Sequence, residues 1–364
     1  MADPSVRRHS SDRAGGPRCG SMAPKGRSHS GALLVAVCST FVALLASACR
    51  VNQNNIWAVD KVSPAWVAPT APTLSDVAYG PLEAQKLDVW LPSGTPVGTL
   101  VYFHSGGWVG GDKANVSSFV LAELDRGWAV VSVDHRLAGT DASMVLGADD
   151  EPSTTVEAPQ IMADADRAVR YVKANAASLG VDPGTIVAAG SSAGGWIAAM
   201  LATRPGSSVD PTLPPELAAQ SPAVDALVDL VGPTDLTTFY RAGGWAAGLE
   251  EVLLGCEPEP DEQPVPPMTT CTEQLEQRWS PLTWAAVSLY LGIPLKPAYL
   301  GYGMLDGLVV PSTQGDPFHT WLGAAAGDLA VWYDLTPNEG HNVDHQLNKT
   351  AFDLWLNKVI LRAW

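Results

Sequence analysis

From Gln85 onward, short apolar runs alternate with stretches in which apolar residues recur every three or four positions. The runs are Gln85 to Leu91, Thr99 to Phe103, Trp128 to Val133, Thr185 to Ala189, Ala226 to Val231, Pro297 to Tyr302 and Leu329 to Tyr333. Those in the middle of the chain are apolar at odd and even positions alike, the pattern of a strand buried on both faces. Helical periodicity covers Ala158 to Ser178, Ala193 to Thr203, Asp316 to Ala325 and Val343 to Ala363. Strand and helix in alternation predict an α/β fold, a mostly parallel central sheet with helices on both faces. No internal repeat recurs at a solenoid or propeller period.

Two stretches depart from the alternation. Residues 50 to 74 mix Pro, Ala, Thr and Asn without a sustained period, as a tether does. Between about 234 and 295 the chain carries scattered aromatics, an acidic Pro-rich loop and two cysteines. An insertion of this length between two core strands is expected to be functional. The expectation is a cap over the C-terminal edge of the sheet, where open α/β sheets bind ligands.

The charge distribution divides the chain further. The formal net charge is -16, and low charge density together with 34 Gly and 29 Pro excludes a coiled coil or helical array. An acidic chain without clustered Lys and Arg also gives no grip on nucleic acid. Residues 1–48, however, hold six basic and two acidic side chains, so the remainder carries -20. This basic head runs into the apolar segment Gly31 to Ala48, closed by Ala46-Ser47-Ala48, which together predict an export signal with an A-x-A cleavage site. A membrane-anchoring helix is the alternative reading of the same segment. Met22 offers an internal alternative start.

Cys49 follows that triplet, and LLASAC resembles a bacterial lipobox, in which the cysteine becomes the lipidated first residue. The predicted division is therefore a signal peptide over 1–48, a lipidated Cys49 and tether over 49–75, and one α/β domain over 76–364 that includes the insertion at about 234–295. The only membrane association expected is a single N-terminal lipid on an exported protein. Once Cys19, Cys38 and Cys49 are set aside, Cys256 and Cys271 remain, an even pair in an oxidising compartment, and are expected to form a disulfide.

The candidate chemistry centres on Gly190-Ser191-Ser192-Ala193-Gly194-Gly195, between a predicted strand and a predicted helix. G-x-S-x-G in that context is a nucleophile elbow with Ser192 exposed at its tip. A serine hydroxyl needs a base in hydrogen-bond reach and a third group to orient the base. His341, in NEGHNVDH ahead of the last helix, is the candidate base, with His345 as the rival; His135 and His319 read as structural. Asp306, closing PAYLGYGMLD, is the candidate orienting acid, with Asp316 and Asp334 as rivals. The Gly-rich run HSGGWVGGDK from His104 to Lys113 follows an early strand, where backbone N–H groups can meet a developing oxyanion. It lacks the spacing of a phosphate-binding P-loop. Nothing in the chain has H-E-x-x-H, C-x-x-C or calcium-loop spacing, so neither a metal nor another cofactor is called for.

HSGGWVGGDK, GSSAGG, Asp306 and His341 together resemble the α/β-hydrolase esterases of the hormone-sensitive-lipase and bacterial feruloyl-esterase-like (BD-FAE-like) group. The signature of that group is HGGGW followed by G-[DE]-S-A-G-G. The resemblance, from about Asp76 to the C-terminus, implies an α/β-hydrolase fold and a serine carboxylic-ester hydrolase acting on a small-molecule ester. It further implies Ser192 as nucleophile, His341 as base, Asp306 as its partner, and Gly106, Gly107 and Ala193 as oxyanion donors, with His104 bracing the loop. Ser105 in place of the first Gly and Ser191 in place of the usual acid depart from the signature. Two other functions fit the same motifs: an amidase or peptidase on this fold, and a catalytically silent surface-binding lipoprotein.

Overall fold

A computed structural model describes residues 71–140, 155–204, 210–239, 244–257, 269–327, 330–342 and 347–362. The export head, Cys49, the tether as far as residue 70, and His345 lie outside the described residues. No helix among the described residues is long and apolar enough to cross a membrane.

Eight strands form one sheet: β1 (Leu74–Ala78), β2 (Lys86–Trp90), β3 (Gly98–Phe103), β4 (Trp128–Val133), β5 (Ile186–Ser191), β6 (Ala226–Leu230), β7 (Ala298–Gly303) and β8 (Val331–Thr336). Their spatial order is β1-β2-β4-β3-β5-β6-β7-β8, with β2 antiparallel to both its neighbours and every pair from β4 to β8 parallel. The seven apolar runs are all strands. The eighth strand, β1, starts inside the stretch read as tether. LSDVA has only two large apolar residues and lies at the sheet edge with every position exposed or half-buried, so the burial that makes a strand legible is missing.

The central strands feed two separate cores. In β3, Val101 and Phe103 point to one side and Leu100 and Tyr102 to the other. The first side is covered by α1 (Ala158–Ala174) and α2 (Ala193–Thr203), through residues such as Ile161, Val169 and Ile197. Gln160 accepts the Glu157 N–H at 3.0 Å, and Pro159 stands in the first turn, so α1 begins where a reciprocal cap permits it. It ends at Asn175, and a short separate turn Ala176–Leu179 completes the periodic stretch read as one helix to Ser178.

Between β6 and β7 lie α3 (Trp245–Leu254), α4 (Glu273–Arg278) and α5 (Pro281–Leu291). The chain between α3 and α4 is pinned by a Cys256–Cys271 disulfide and by a two-residue parallel ladder beside it. After β7 comes α6 (Gly315–Ala326), and α7 (Lys349–Leu361) follows β8. Phe352 and Trp355 of α7 cover the second face of the sheet, so both faces are buried as the alternation predicts.

Candidate active site

The parallel strands all end at one edge, and the candidate residues stand on the loops that leave it. Ser192 follows β5 directly and takes φ 55°, ψ -120°, a conformation that L-residues with side chains rarely adopt. The neighbouring glycines explain how the turn is made. A Cβ on Gly190 would stand 2.1 Å from Gly194 O, and one on Gly194 would stand 2.0 Å from Phe103 O. The Ser192 amide then donates to Leu230 O at 2.8 Å, fastening the turn to β6.

His341 lies on the loop after β8, with Nε2 at 2.8 Å from Ser192 Oγ and Nδ1 at 2.8 Å from Asp306 Oδ2. Asp306 accepts the Leu308 and Val309 N–H groups on its other oxygen, both at 2.9 Å, and its side chain is fully buried. The carboxylate therefore takes Nδ1–H, which leaves Nε2 free to accept the serine proton. The rivals are engaged elsewhere: Asp334 Oδ2 receives the Tyr299 hydroxyl and the Asn348 N–H, and Asp316 receives the Tyr333 hydroxyl.

The loop after β3 folds back beside this edge. Gly106 and Gly107 have φ of 131° and 60°, and Trp108 has φ 63°, whereas Ser105 is not in the positive region. That is why a serine is tolerated where the esterase signature has its first glycine, but not at the next two positions. His104 is buried, donates its Nδ1–H to Ser105 O at 2.8 Å, and stacks on His135 with centroids 4.5 Å apart. Burial holds both imidazoles below their ordinary value, His135 down to about 3, so the stack is neutral. Ala193 is the first residue of α2, where N–H groups have no acceptor within the helix and the helix dipole is positive.

Residues 87–284, more than half of the chain, match the BD-FAE family. This chain belongs to the BD-FAE family.

Esterase LipQ of Mycobacterium tuberculosis (strain ATCC 25618 / H37Rv) is 26% identical over 276 residues, covering 74% of this chain and 57% of LipQ. Esterase LipC of the same strain is 32% identical over 165 residues, covering 44% of this chain and 36% of LipC. The chain thus spans about half the length, or less, of these curated relatives. A truncated carbohydrate esterase from gut microbiota superposes with TM-score 0.61 at 22% identity, over 80% of this chain and 99% of that one, which establishes the shared α/β-hydrolase fold.

In this BD-FAE chain the segment 234–295 reaches the same loop. A Cβ on Gly107 would stand 2.8 Å from Leu249 of α3, so that helix rests directly on the glycine-rich turn. The segment is held from below by Trp196 of α2, whose indole N–H donates to Trp279 O at 2.7 Å. It is held at its start by the buried Gln314 side chain, which accepts from the Thr234 and Asp235 amides and donates to Asp235 O. Among the described residues no group of three or more His, Cys, Asp or Glu is placed to hold a metal ion.

Sequence patterns missed one part of the site's surroundings. Asp229 of β6 and Tyr302 of β7 form a buried polar pair behind Ser192, 73 positions apart in sequence. Asp229 is the single polar residue of its run and Tyr302 one of two tyrosines in its own, with nothing in the spacing to link them.

Proposed function

We propose that this chain is a carboxylic-ester hydrolase that works through a serine acyl-enzyme, and the observation that carries the proposal is the continuous hydrogen-bonded line Ser192–His341–Asp306. His341 Nε2 takes the Ser192 proton as Oγ attacks the ester carbonyl carbon. The tetrahedral oxyanion is met by the backbone N–H groups of Gly106, Gly107 and Ala193, which the loop after β3 and the first turn of α2 bring to the same edge. Asp306 holds the imidazolium, which then protonates the departing alkoxide, so an alcohol leaves and Ser192 carries the acyl group. Water, deprotonated by His341, attacks the acyl carbon; the carboxylic acid is released and the Ser192 hydroxyl restored.

The names of esterases LipQ and LipC support ester over amide as the bond cleaved. The segment 234–295 serves as the cap that shapes the substrate site, as the contact of Leu249 with Gly107 suggests. His104 keeps the oxyanion loop in place. The export signal, the A-x-A triplet and the lipobox-like LLASAC support an exported protein lipidated at Cys49. Detergent partition of wild type against Cys49→Ala, expressed from its own signal, tests that location; equal partition into the aqueous phase would refute it.

The decisive test of chemistry is Ser192→Ala. Hydrolysis of p-nitrophenyl acetate should fall on the order of 10⁴-fold or more, with circular dichroism unchanged and fluorophosphonate labelling lost. Full activity in the variant refutes the mechanism. Preference for anilides over matched esters moves the assignment to an amidase, and an unlabelled wild-type serine moves it to a binding protein.

A further inference from the structure

Behind the nucleophile turn lies a buried carboxyl that the hydrolytic cycle does not use. Asp229 is fully buried in β6, paired in register with Gly190 of the nucleophile strand. Its Oδ1 accepts the Gly232 N–H at 2.8 Å, and its Oδ2 lies 2.8 Å from Tyr302 Oη. Tyr302 Oη is also 2.7 Å from Gly232 O. A phenol has one hydrogen, so it can donate to only one of these two acceptors at a time. With an ionised carboxyl, one of the two contacts is oxygen against oxygen with no proton between. One further proton, on Asp229 Oδ2, completes the chain: Asp229 O–H donates to Tyr302 Oη, and Tyr302 O–H donates to Gly232 O.

The same atoms brace both sides of the triad. A Cβ on Gly195 of α2 would stand 2.4 Å from Asp229 Oδ1 and 2.9 Å from Gly232 Cα, so the first turn of the nucleophile helix lies directly on this network. Leu230, next to Asp229, supplies the carbonyl that receives the Ser192 amide. Val231 has φ 49°, a strained conformation for a β-branched residue, and is held there by the hydrogen bond its N–H donates to Gly301 O and by the Asp229–Gly232 link across it. Tyr302 stands in the strand that delivers Asp306, and its own carbonyl accepts the Thr336 hydroxyl from β8.

We propose that Asp229 is a positioning residue that acts as a neutral acid: its proton closes the Asp229–Tyr302–Gly232 chain and so fixes the Ser192 turn against the strand that carries Asp306. The proposal rests on the reading of Ser192 and Asp306 as nucleophile and orienting acid. The surroundings favour the neutral form. From β7, Tyr302 faces the carboxyl with a phenol that burial holds well above its ordinary value. Behind it stand Tyr333 of β8, bonded to Asp316 of α6, and Asp306 from the loop after β7. From α2 the approach is made by the backbone of Gly195. The acids beyond them, Asp306 and Asp316, act on Tyr302 and Tyr333 respectively rather than on the Asp229 carboxyl itself. Burial pushes the Asp229 carboxyl up to about 7, against the opposing pull of the hydrogen bonds from Tyr302 and Gly232.

The linkage has a definite sign. The ordinary value is 3.8 and the folded one about 7, so the folded chain holds one more proton than the unfolded chain between these limits. Stability from this group is fully present below the lower value and is lost as pH rises through the upper one.

The experiment has two arms. In the first, Ser192→Ala protein is compared with Ser192→Ala/Asp229→Asn by difference infrared spectroscopy and by urea denaturation across pH. The expected results are a protonated-carboxyl carbonyl band near pH 6 that the Asn variant lacks, and an unfolding constant that rises by up to about tenfold per pH unit relative to that variant between roughly pH 4 and 7. In the second, kcat of the wild type divided by kcat of Asp229→Asn falls as pH passes about 7, with the KM ratio constant. The ratio cancels any titration that both proteins share. A missing band or a flat unfolding ratio overturns the neutral acid; a flat kcat ratio, or a change confined to KM, overturns the positioning role. If the double variant does not fold, the band and its titration in Ser192→Ala alone decide the protonation. Turnover is not needed in the first arm, so a wild type without ester hydrolysis but with the band would overturn the function and the positioning role, and leave the proton assigned.

Discussion

Gly194 is small because two carbonyl oxygens leave it no choice. An added methyl would meet Phe103 O at 2.0 Å and His104 O at 2.7 Å, so the residue sets how closely the nucleophile helix approaches the glycine-rich loop. Gly194→Ala is expected to cost about 1–3 kcal/mol in urea denaturation and to lower kcat more than KM, because it separates Ala193 from Gly106 and Gly107. An unchanged kcat in a stably folded variant would refute that coupling. At this scale the triad candidates were legible because catalysis leaves punctuation: glycines at fixed offsets around Ser192, and an acid and a histidine closing successive strands in a recognisable chain order. Asp229 and Tyr302 left no such mark, since a buried pair across adjacent strands is written as two isolated polar letters. Their partnership is a matter of sheet register alone.

At the scale of elements, strands buried on two faces were readable as unbroken apolar runs, and β1 was not, because an edge strand needs no such run. The segment 234–295 was recognisable as an interruption, but its internal order was not, since its short helices, held by Gln314, Trp196 and one disulfide, owe their form to contacts outside themselves. Replacing Cys256 and Cys271 together with Ser should cost about 3 kcal/mol on the chain-entropy account of a loop this size. The loss should appear in denaturation followed by tryptophan fluorescence, while fluorophosphonate labelling of Ser192 persists under native conditions. Loss of labelling in the folded double variant would show that the segment does more than cover the site.

For the whole molecule, acid and base sensitivity come from different buried groups. His135 titrates at 6.5 ordinarily and at about 3 in its buried stack, so its contribution to stability is fully present above the first value and is lost as pH falls towards the second. Asp229 acts in the other direction over much of the same range. The two trends offset one another in the wild type, and variants expose them: His135→Phe should lose less stability than wild type when pH is lowered from 7 to about 4.5, as measured by urea midpoints. An identical acid response would show that His135 takes up its proton as readily in the folded chain as in the unfolded one. The fold class and the two-faced sheet were legible at this scale because layer architecture follows from alternation; the balance of buried charges was not, because it depends on which loops meet. Finally, the hydrogen bond between Ser192 and His341 spans 149 positions in the chain. No local stretch can assemble it, and β5 must first find partners that are made both before and after it. The hydrogen-bonded line proposed for catalysis therefore needs the last strand in place, and a chain whose last strand has not docked holds Ser192 without its histidine partner.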